Sequence, residues 1–239
     1  AQALGLLSEG GRGLFDVFRD RLVFPILGLS GKVVGFGARK LDQDDAGPKY
    51  LNSRQSRVYD KSEVLYGLYQ ARAAVQKRGE VVLVEGYFDV LSPVVSGVEN
   101  VVATCGTALT ERHAAVIRRL VQKVVCVFDA DSAGVRASYR SAELLLQEDL
   151  APYMVTLPAG DDPDSFVRSR GGGAFQELLD RARPIVEVLA EYGLQAVGAD
   201  VEARTAAARK LVPLLSACQD SLRRGSYIRL VAERSGVSE

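Results

Sequence analysis

Four short apolar runs mark the middle of the chain: Val81–Val84, Val101–Thr104, Val124–Phe128 and Tyr153–Leu157. They are rich in β-branched residues and lack polar alternation, the pattern of strands buried on both faces. Segments near 88–96, 110–121 and 134–149 read as helices between them. Strands and helices in alternation predict a mostly parallel sheet with helices on both faces. Upstream, Leu22–Ile26 and Lys32–Leu41 are two β-leaning runs joined through Gly28 and Gly31, a hairpin pattern. Residues 42–60 read as a long polar loop. Asp60 with Glu63 resembles a capping box, opening a helix that runs to about Arg78. After Pro163 the pattern is helical to the end, broken at Gly171–Gly173. Asp200 is placed to cap a helix over 201–217. The expectation is an α/β fold in three segments. Residues 1–79 form a small β-rich basic subdomain, 80–170 the sheet, and 171–239 a helical bundle.

The 239 residues are 47% apolar and 25% charged, the balance of a globular protein. Apolar runs of four to six residues are far too short for a membrane-spanning helix. No secretion signal opens the chain, so a cytoplasmic protein without a membrane partner is expected. The abrupt Gly-rich opening reads as the edge of a fragment. Cys105, Cys126, Cys218 and the lone His113 cannot supply a structural zinc site, so no zinc is expected. The cysteines read as reduced core residues. His113, in the first turn of a helix, reads as a surface residue. Net charge is zero but unevenly spread: residues 12–78 carry net +6 and residues 85–164 net −6. Such blocks suit a polyanion beside a hard cation, though solvated surface charge gives the same pattern.

Ligands of open parallel sheets sit beyond the carboxyl ends of the strands. Here Glu85-Gly86 comes directly after the first run and Asp129-Ala130-Asp131 after the third. The stretch from Pro158 to Asp164, with Asp162 and Asp164, comes after the fourth. Carboxylates gathered on one edge repel each other unless a cation neutralises them. Oxygen-only ligands select Mg²⁺ or Mn²⁺. Taken alone, Asp129-Ala130-Asp131 suits a helix cap as well as a metal; the joint placement favours the cation. In the basic block Arg19, Arg21, Arg39, Lys49, Arg54, Arg57 and Lys61 are interleaved with Tyr50 and Tyr59. That mixture suits single-stranded nucleic acid, and equally a solvated loop over core tyrosines.

Val84-Glu85-Gly86-Tyr87-Phe88-Asp89-Val90 and Phe128-Asp129-Ala130-Asp131-Ser132-Ala133-Gly134 resemble the two signature motifs of the TOPRIM domain. Arg21–Ile26, Gly35–Arg39, Lys49–Ser53, Leu65–Leu68 and Thr104–Thr110 are similar to the RNA-polymerase domain of bacterial replicative primases. The resemblance runs in order from about residue 12 to about 170. It implies a TOPRIM-like sheet and a DNA-templated synthesis of short RNA primers in replication. By that resemblance Glu85 is a metal ligand and general base, and Asp129 and Asp131 bind the metal pair. Asp162 and Asp164 complete the acidic cluster, supported by Asp89. Arg39, Lys49, Tyr50, Asn52 and Lys61, with Arg19 and Arg21, line a groove for template, RNA–DNA hybrid or ribonucleoside triphosphate. The family's helicase contact, the link to the primosome, is expected through a domain absent from this chain. The helical tail from Pro184 either finishes the polymerase domain or serves as a platform for partners. Two alternatives stand beside this reading. One is a TOPRIM-type DNA-binding module without turnover. The other is a phosphohydrolase with Asp129 as nucleophile.

Overall fold

A computed structural model of the chain describes residues 1–11, 13–42, 44, 47–128, 132–198 and 200–236. Its N-terminal part is antiparallel. Strands β1 (Leu7–Gly10) and β2 (Gly13–Asp16) form a ribbon. Strands β3 (Arg21–Leu27), β4 (Val33–Lys40) and β5 (Tyr50–Asn52) form a sheet in that order. The β3–β4 hairpin is the expected one. The ribbon and β5 depart from expectation: four- and three-residue strands are too short to show a period. The register sets Tyr50 beside Arg39 and Asn52 beside Gly37.

Helix α1 (Leu68–Arg78) begins later than the capping pattern predicts. Tyr66 exchanges two backbone hydrogen bonds with Ala103 and holds the chain out of helical geometry. Gly67 then opens α1 at φ +81°, a left-handed conformation suited to glycine. Asp60 instead accepts hydrogen bonds from the amide and hydroxyl of Ser62.

The rest alternates as predicted: β6 (Glu80–Val84), α2 (Tyr87–Val95), β7 (Val101–Ala103), α3 (Glu111–Arg118), β8 (Lys123–Phe128), α4 (Ser132–Gln147), β9 (Ala151–Thr156) and α5 (Pro163–Asp180). The four strands are parallel, and β10 (Arg183–Pro184) adds an antiparallel edge, giving the order β10-β9-β8-β6-β7. Val81, Leu83, Val124 and Cys126 enter the core layer under α1, α3 and α4. Val82, Val84, Val125 and Val127 enter the opposite layer with α2 and α5. Successive residues of one strand thus fill different cores, so the runs Val81–Val84 and Val124–Val127 are apolar throughout.

The tail holds α6 (Ile185–Gln195), α7 (Val201–Arg209), α8 (Val212–Ala217) and α9 (Ser221–Ser235). Asp200 caps α7, accepting from the Ala203 amide at 3.0 Å. The single helix expected over 201–217 divides at Lys210–Leu211. Pro213 lacks an N–H and crowds the preceding turn, so the second helix starts afresh around it. Ile185, Leu189, Leu214 and Tyr227 share one core with Leu145 and Leu146 of α4. Arg183 and Arg234 grip Glu187 and Glu191, tying α9 to α6. The predicted break in α5 falls at Gly171, φ +82°. Among the described residues no helix is long and apolar enough to cross a membrane.

One residue later, α5 presses on the end of α2. A Cβ on Gly172 would lie 2.1 Å from the backbone oxygen of Ser96. Gly172→Ala is therefore expected to destabilise the fold by about 1–3 kcal/mol. Thermal melting monitored by circular dichroism checks this; an unchanged midpoint would mean that the two helices separate freely.

Candidate active site

Parallel pairing brings the carboxyl ends of β6, β8 and β9 to one edge of the sheet. Strand β6 leads directly into Glu85, which is exposed. Its carbonyl accepts the Cys105 amide at 3.0 Å. The next residue, Gly86, opens α2 and donates its amide to Asp89 at 2.8 Å. Asp162 is the N-cap of α5 and accepts from the Ser165 amide at 2.7 Å. Asp164, in the first turn of α5, accepts from the Ser92 hydroxyl of α2. Strand β8 ends at Phe128, and the expected ligands Asp129 and Asp131 lie outside the described residues. Among the described residues no three His, Cys, Asp or Glu side chains stand close enough to hold a metal. The donor set at this edge nevertheless suits a hard ion. Glu85 offers carboxylate oxygens, while burial pushes the Cys105 thiol well up and keeps it neutral. Beside Glu85 lies a cleft of about 340 Å³, lined by Thr104, Gly106, Thr107, Arg140 and Ser141 among others.

The cationic side comes from the antiparallel sheet. The Arg39 guanidinium lies 4.9 Å from the Phe88 ring centroid and 5.8 Å from that of Tyr50, and donates to the Tyr50 hydroxyl at 3.5 Å. The Lys49 ammonium is 5.8 Å from the Tyr50 ring. Partial burial raises the Tyr50 pKa, Arg39 opposes the shift, and Asp89 and Asp164 add to it. Cations, a stacking ring and carboxylates thus share one electrostatic neighbourhood. Two residues of the expected groove have structural tasks. Arg21 donates to the Pro48 carbonyl at 2.8 Å, and Arg19 sits over the Phe15 ring. Lys61 is half-buried on the loop before α1.

Asn52 joins the two sides. Its amide donates to the Cys105 carbonyl at 2.8 Å, and its oxygen accepts the Tyr87 hydroxyl at 2.7 Å. Cys105 takes φ +50°, uncommon for a non-glycine residue. A Cβ on Gly37 would lie 2.0 Å from the Tyr87 hydroxyl oxygen, so only glycine fits there. Sequence reasoning missed Tyr87 and Gly37 as site-building residues. The signal was the tyrosine directly after Glu85-Gly86.

Three family models match successive parts of the chain. Residues 1–72 match the family model for the N-terminal domain of the DNA primase catalytic core. Residues 82–167 match a Toprim-like model. Residues 188–239 match the DnaB-helicase binding domain of primase. A DNA primase domain from Pseudomonas aeruginosa superimposes with TM-score 0.87 at 36% identity, covering 99% of this chain and 75% of that one. The chain belongs to the bacterial DNA primase family.

DNA primase from Listeria monocytogenes is 43% identical over 185 residues, 77% of this chain and 29% of that protein. Primase from Myxococcus xanthus is 39% identical over 98% of this chain and 39% of its own length. The chain thus spans under half of these curated primases. A DnaG primase catalytic domain solved bound to ssDNA gives TM-score 0.85 at 31% identity, covering 97% of this chain and 76% of that one. The third match corrects one expectation. A helicase-binding model falls on the helical tail itself, not on a domain absent from the chain. The Toprim and primase-core matches also place the chain in a family of divalent-metal-dependent enzymes.

A second junction in the chain corrects the reading of His113. It is fully buried, not a surface residue. Thr110 caps α3 through the His113 amide, and His113 Nδ1 accepts the Thr110 amide at 3.3 Å. The Thr110 hydroxyl also donates to the Ser62 carbonyl, and Arg112 pairs with Asp60 and Glu63. The loop carrying Lys61 is therefore clamped to α3, and the histidine is sealed beneath it. The sequence shows no period or motif for this, because the residues covering His113 lie about 50 positions upstream.

Burial lowers the His113 pKa from 6.5, outweighing the backbone carbonyls of Lys61 and Val64 and the charge of Asp60. A histidine depressed in the fold stabilises above its unfolded value, and that contribution is lost as pH falls below 6.5. Stability should therefore drop below pH 6.5, and His113→Gln should flatten that part of the profile. Denaturant midpoints at successive pH values check this; parallel profiles would refute it. At the other junction, Asn52→Ala leaves the Tyr87 hydroxyl and Cys105 carbonyl short of partners, costing about 1–3 kcal/mol. In a Tyr87→Phe background the cost should shrink, and strict additivity in the cycle would dissolve the proposed coupling.

Proposed function

We propose that this chain is the catalytic core of an enzyme that makes short RNA primers from ribonucleoside triphosphates on single-stranded DNA. The observation that carries the reading is the shared neighbourhood of Arg39, Tyr50, Asp89 and Asp164 at the sheet edge where Glu85 is exposed. A polyanion and a carboxylate-bound cation can meet there. The reaction is nucleotidyl transfer: a primer 3′-hydroxyl attacks an α-phosphate and pyrophosphate leaves. Glu85, Asp129 and Asp131 are assigned to Mg²⁺, or Mn²⁺, with Asp162 and Asp164 completing the negative field. When bound, the ion supplies a lowered hydroxyl pKa and charge compensation for the leaving pyrophosphate. Glu85 is assigned as general base, and Asp89 braces the turn that presents it. Arg39, Lys49 and Lys61 hold phosphates, and Tyr50 offers a stacking face. Asn52 fixes the loop at Cys105. Arg19 and Arg21 add positive field to the same track. The DnaG relative solved with ssDNA supports the template class. The tail is assigned a contact with the replicative helicase, on the strength of its family match.

The deciding experiment mixes the chain with single-stranded DNA, labelled ribonucleotides and Mg²⁺ or Mn²⁺. Template-dependent short RNA is expected, lost in Glu85→Gln and Asp131→Asn while both variants keep their circular dichroism spectra. Product undiminished in both variants would refute the acidic site. DNA binding without any product would favour the module without turnover. Lys49→Ala should weaken single-strand binding and reduce the slope of log K against log salt by about one contact's worth. An unchanged slope would remove Lys49 from the phosphate track.

A further inference from the structure

We propose that the groove bounded by α4, α6, α7 and α8 docks an acidic amphipathic helix of a partner protein. The groove encloses about 800 Å³, and its floor is apolar, with Tyr139, Ala207 and Leu214. Three of these helices converge at Gly193. A Cβ on Gly193 would lie 3.8 Å from the Tyr139 hydroxyl oxygen and 3.9 Å from the Ala207 Cβ. The rim carries Arg136, Arg140 and Lys210 against the single carboxylate of Glu143. All three cations are exposed, and none has an acidic partner among the described residues. Elsewhere in the same bundle Arg183, Arg223 and Arg234 are each engaged with carboxylates. The groove's rim thus carries an excess of positive charge.

These features select the occupant. An apolar floor inside a cationic rim complements apolar anchors flanked by Asp or Glu. The walls are helices with internally bonded backbones and offer no strand edge. An extended segment would find no partners for its own amides and carbonyls, whereas a helix satisfies them itself. A nucleic acid would set phosphates against the apolar floor, which is costly without paired charge. Residues between Tyr192 and Leu214, from α6, α7, α8 and their connections, supply most of the wall, within the segment that matches the helicase-binding model. The inference therefore deepens the partner assignment above, and rests on it in taking the occupant to be a protein.

The test is a selection of phage-displayed helical peptides on the immobilised chain, then anisotropy titration of an enriched peptide. Enrichment of Asp and Glu beside apolar residues spaced i, i+3/i+4, i+7 is expected. Affinity should fall about tenfold or more in Ala206→Trp, which plugs the groove, and in Arg136→Glu/Lys210→Glu, which reverses its rim. Both variants should keep the parent melting profile and RNA synthesis. Enrichment of basic or unpatterned peptides would overturn the proposal, as would equal affinity in folded variants or displacement by single-stranded DNA. Purified replicative helicase is titrated in parallel. Helicase that fails to bind while acidic helices bind at the groove would remove the helicase assignment and leave the groove's specificity established.

Discussion

The Tyr87 ring is the contact on which the two halves of the molecule depend. It comes directly after Glu85 and Gly86, so its position is fixed by the end of a central strand. Its face stacks on Phe24 of β3, with centroids 4.6 Å apart and planes within 7°. Its edge meets Tyr66 at 4.8 Å, and its hydroxyl reaches Asn52 of β5. Such an aromatic pair contributes about 0.5–1.5 kcal/mol beyond the area it buries. The geometric consequence matters more. One buried side chain pins the cationic sheet at a fixed distance from the strand end that bears Glu85. Gly37 is the complementary requirement, because any side chain there would displace the ring.

That pinning makes the charge distribution useful. Net +6 and net −6 segments on separate modules would be screened at surface separations beyond about 8–10 Å. Brought together over Tyr87, they place Arg39 between two aromatic rings beside the region of Asp89 and Asp164. Partial desolvation strengthens both fields there. Neighbouring carboxylates are meanwhile tied to local partners: Asp89 to Gly86, Asp162 to Ser165 and Asp164 to Ser92. Such bonds hold acidic side chains near an edge without mutual collapse, and Glu85 is exposed beside them.

The sequence revealed features that depend on local period and missed those that depend on distant partners. Val81–Val84 and Val124–Phe128 were legible because alternate residues fill opposite cores. The hairpin was legible from its turn, and the common edge of the strand ends from their parallel alternation with helices. β5 is three residues long and exists because β4 offers it an edge. The apparent cap at Asp60 failed because Tyr66 pairs with Ala103, 37 positions away. His113 carries the composition of a surface residue and the burial of a core one, because the chain around Ser62 folds over it. Pro213 divides the helix expected over 201–217 because it lacks an N–H, a local rule that the helical period does not carry. The tail's family match was invisible, since its helices carry only the periodicity of a generic bundle.

The tail is not an appendage in energetic terms. Leu145 and Leu146 of α4 share their core with Ile185, Leu189, Leu214 and Tyr227. Helix α4 starts immediately after Asp129–Asp131 and continues past Arg140, which borders both the cleft at Glu85 and the groove toward the tail. Close-packed interiors transmit displacement rather than absorb it. A helix seated against α4, α6 and α7 would therefore press on the element that leaves the acidic edge. The same packing that stabilises the bundle joins the tail to the sheet through one helix, α4, whose buried residues lie in the core that both share.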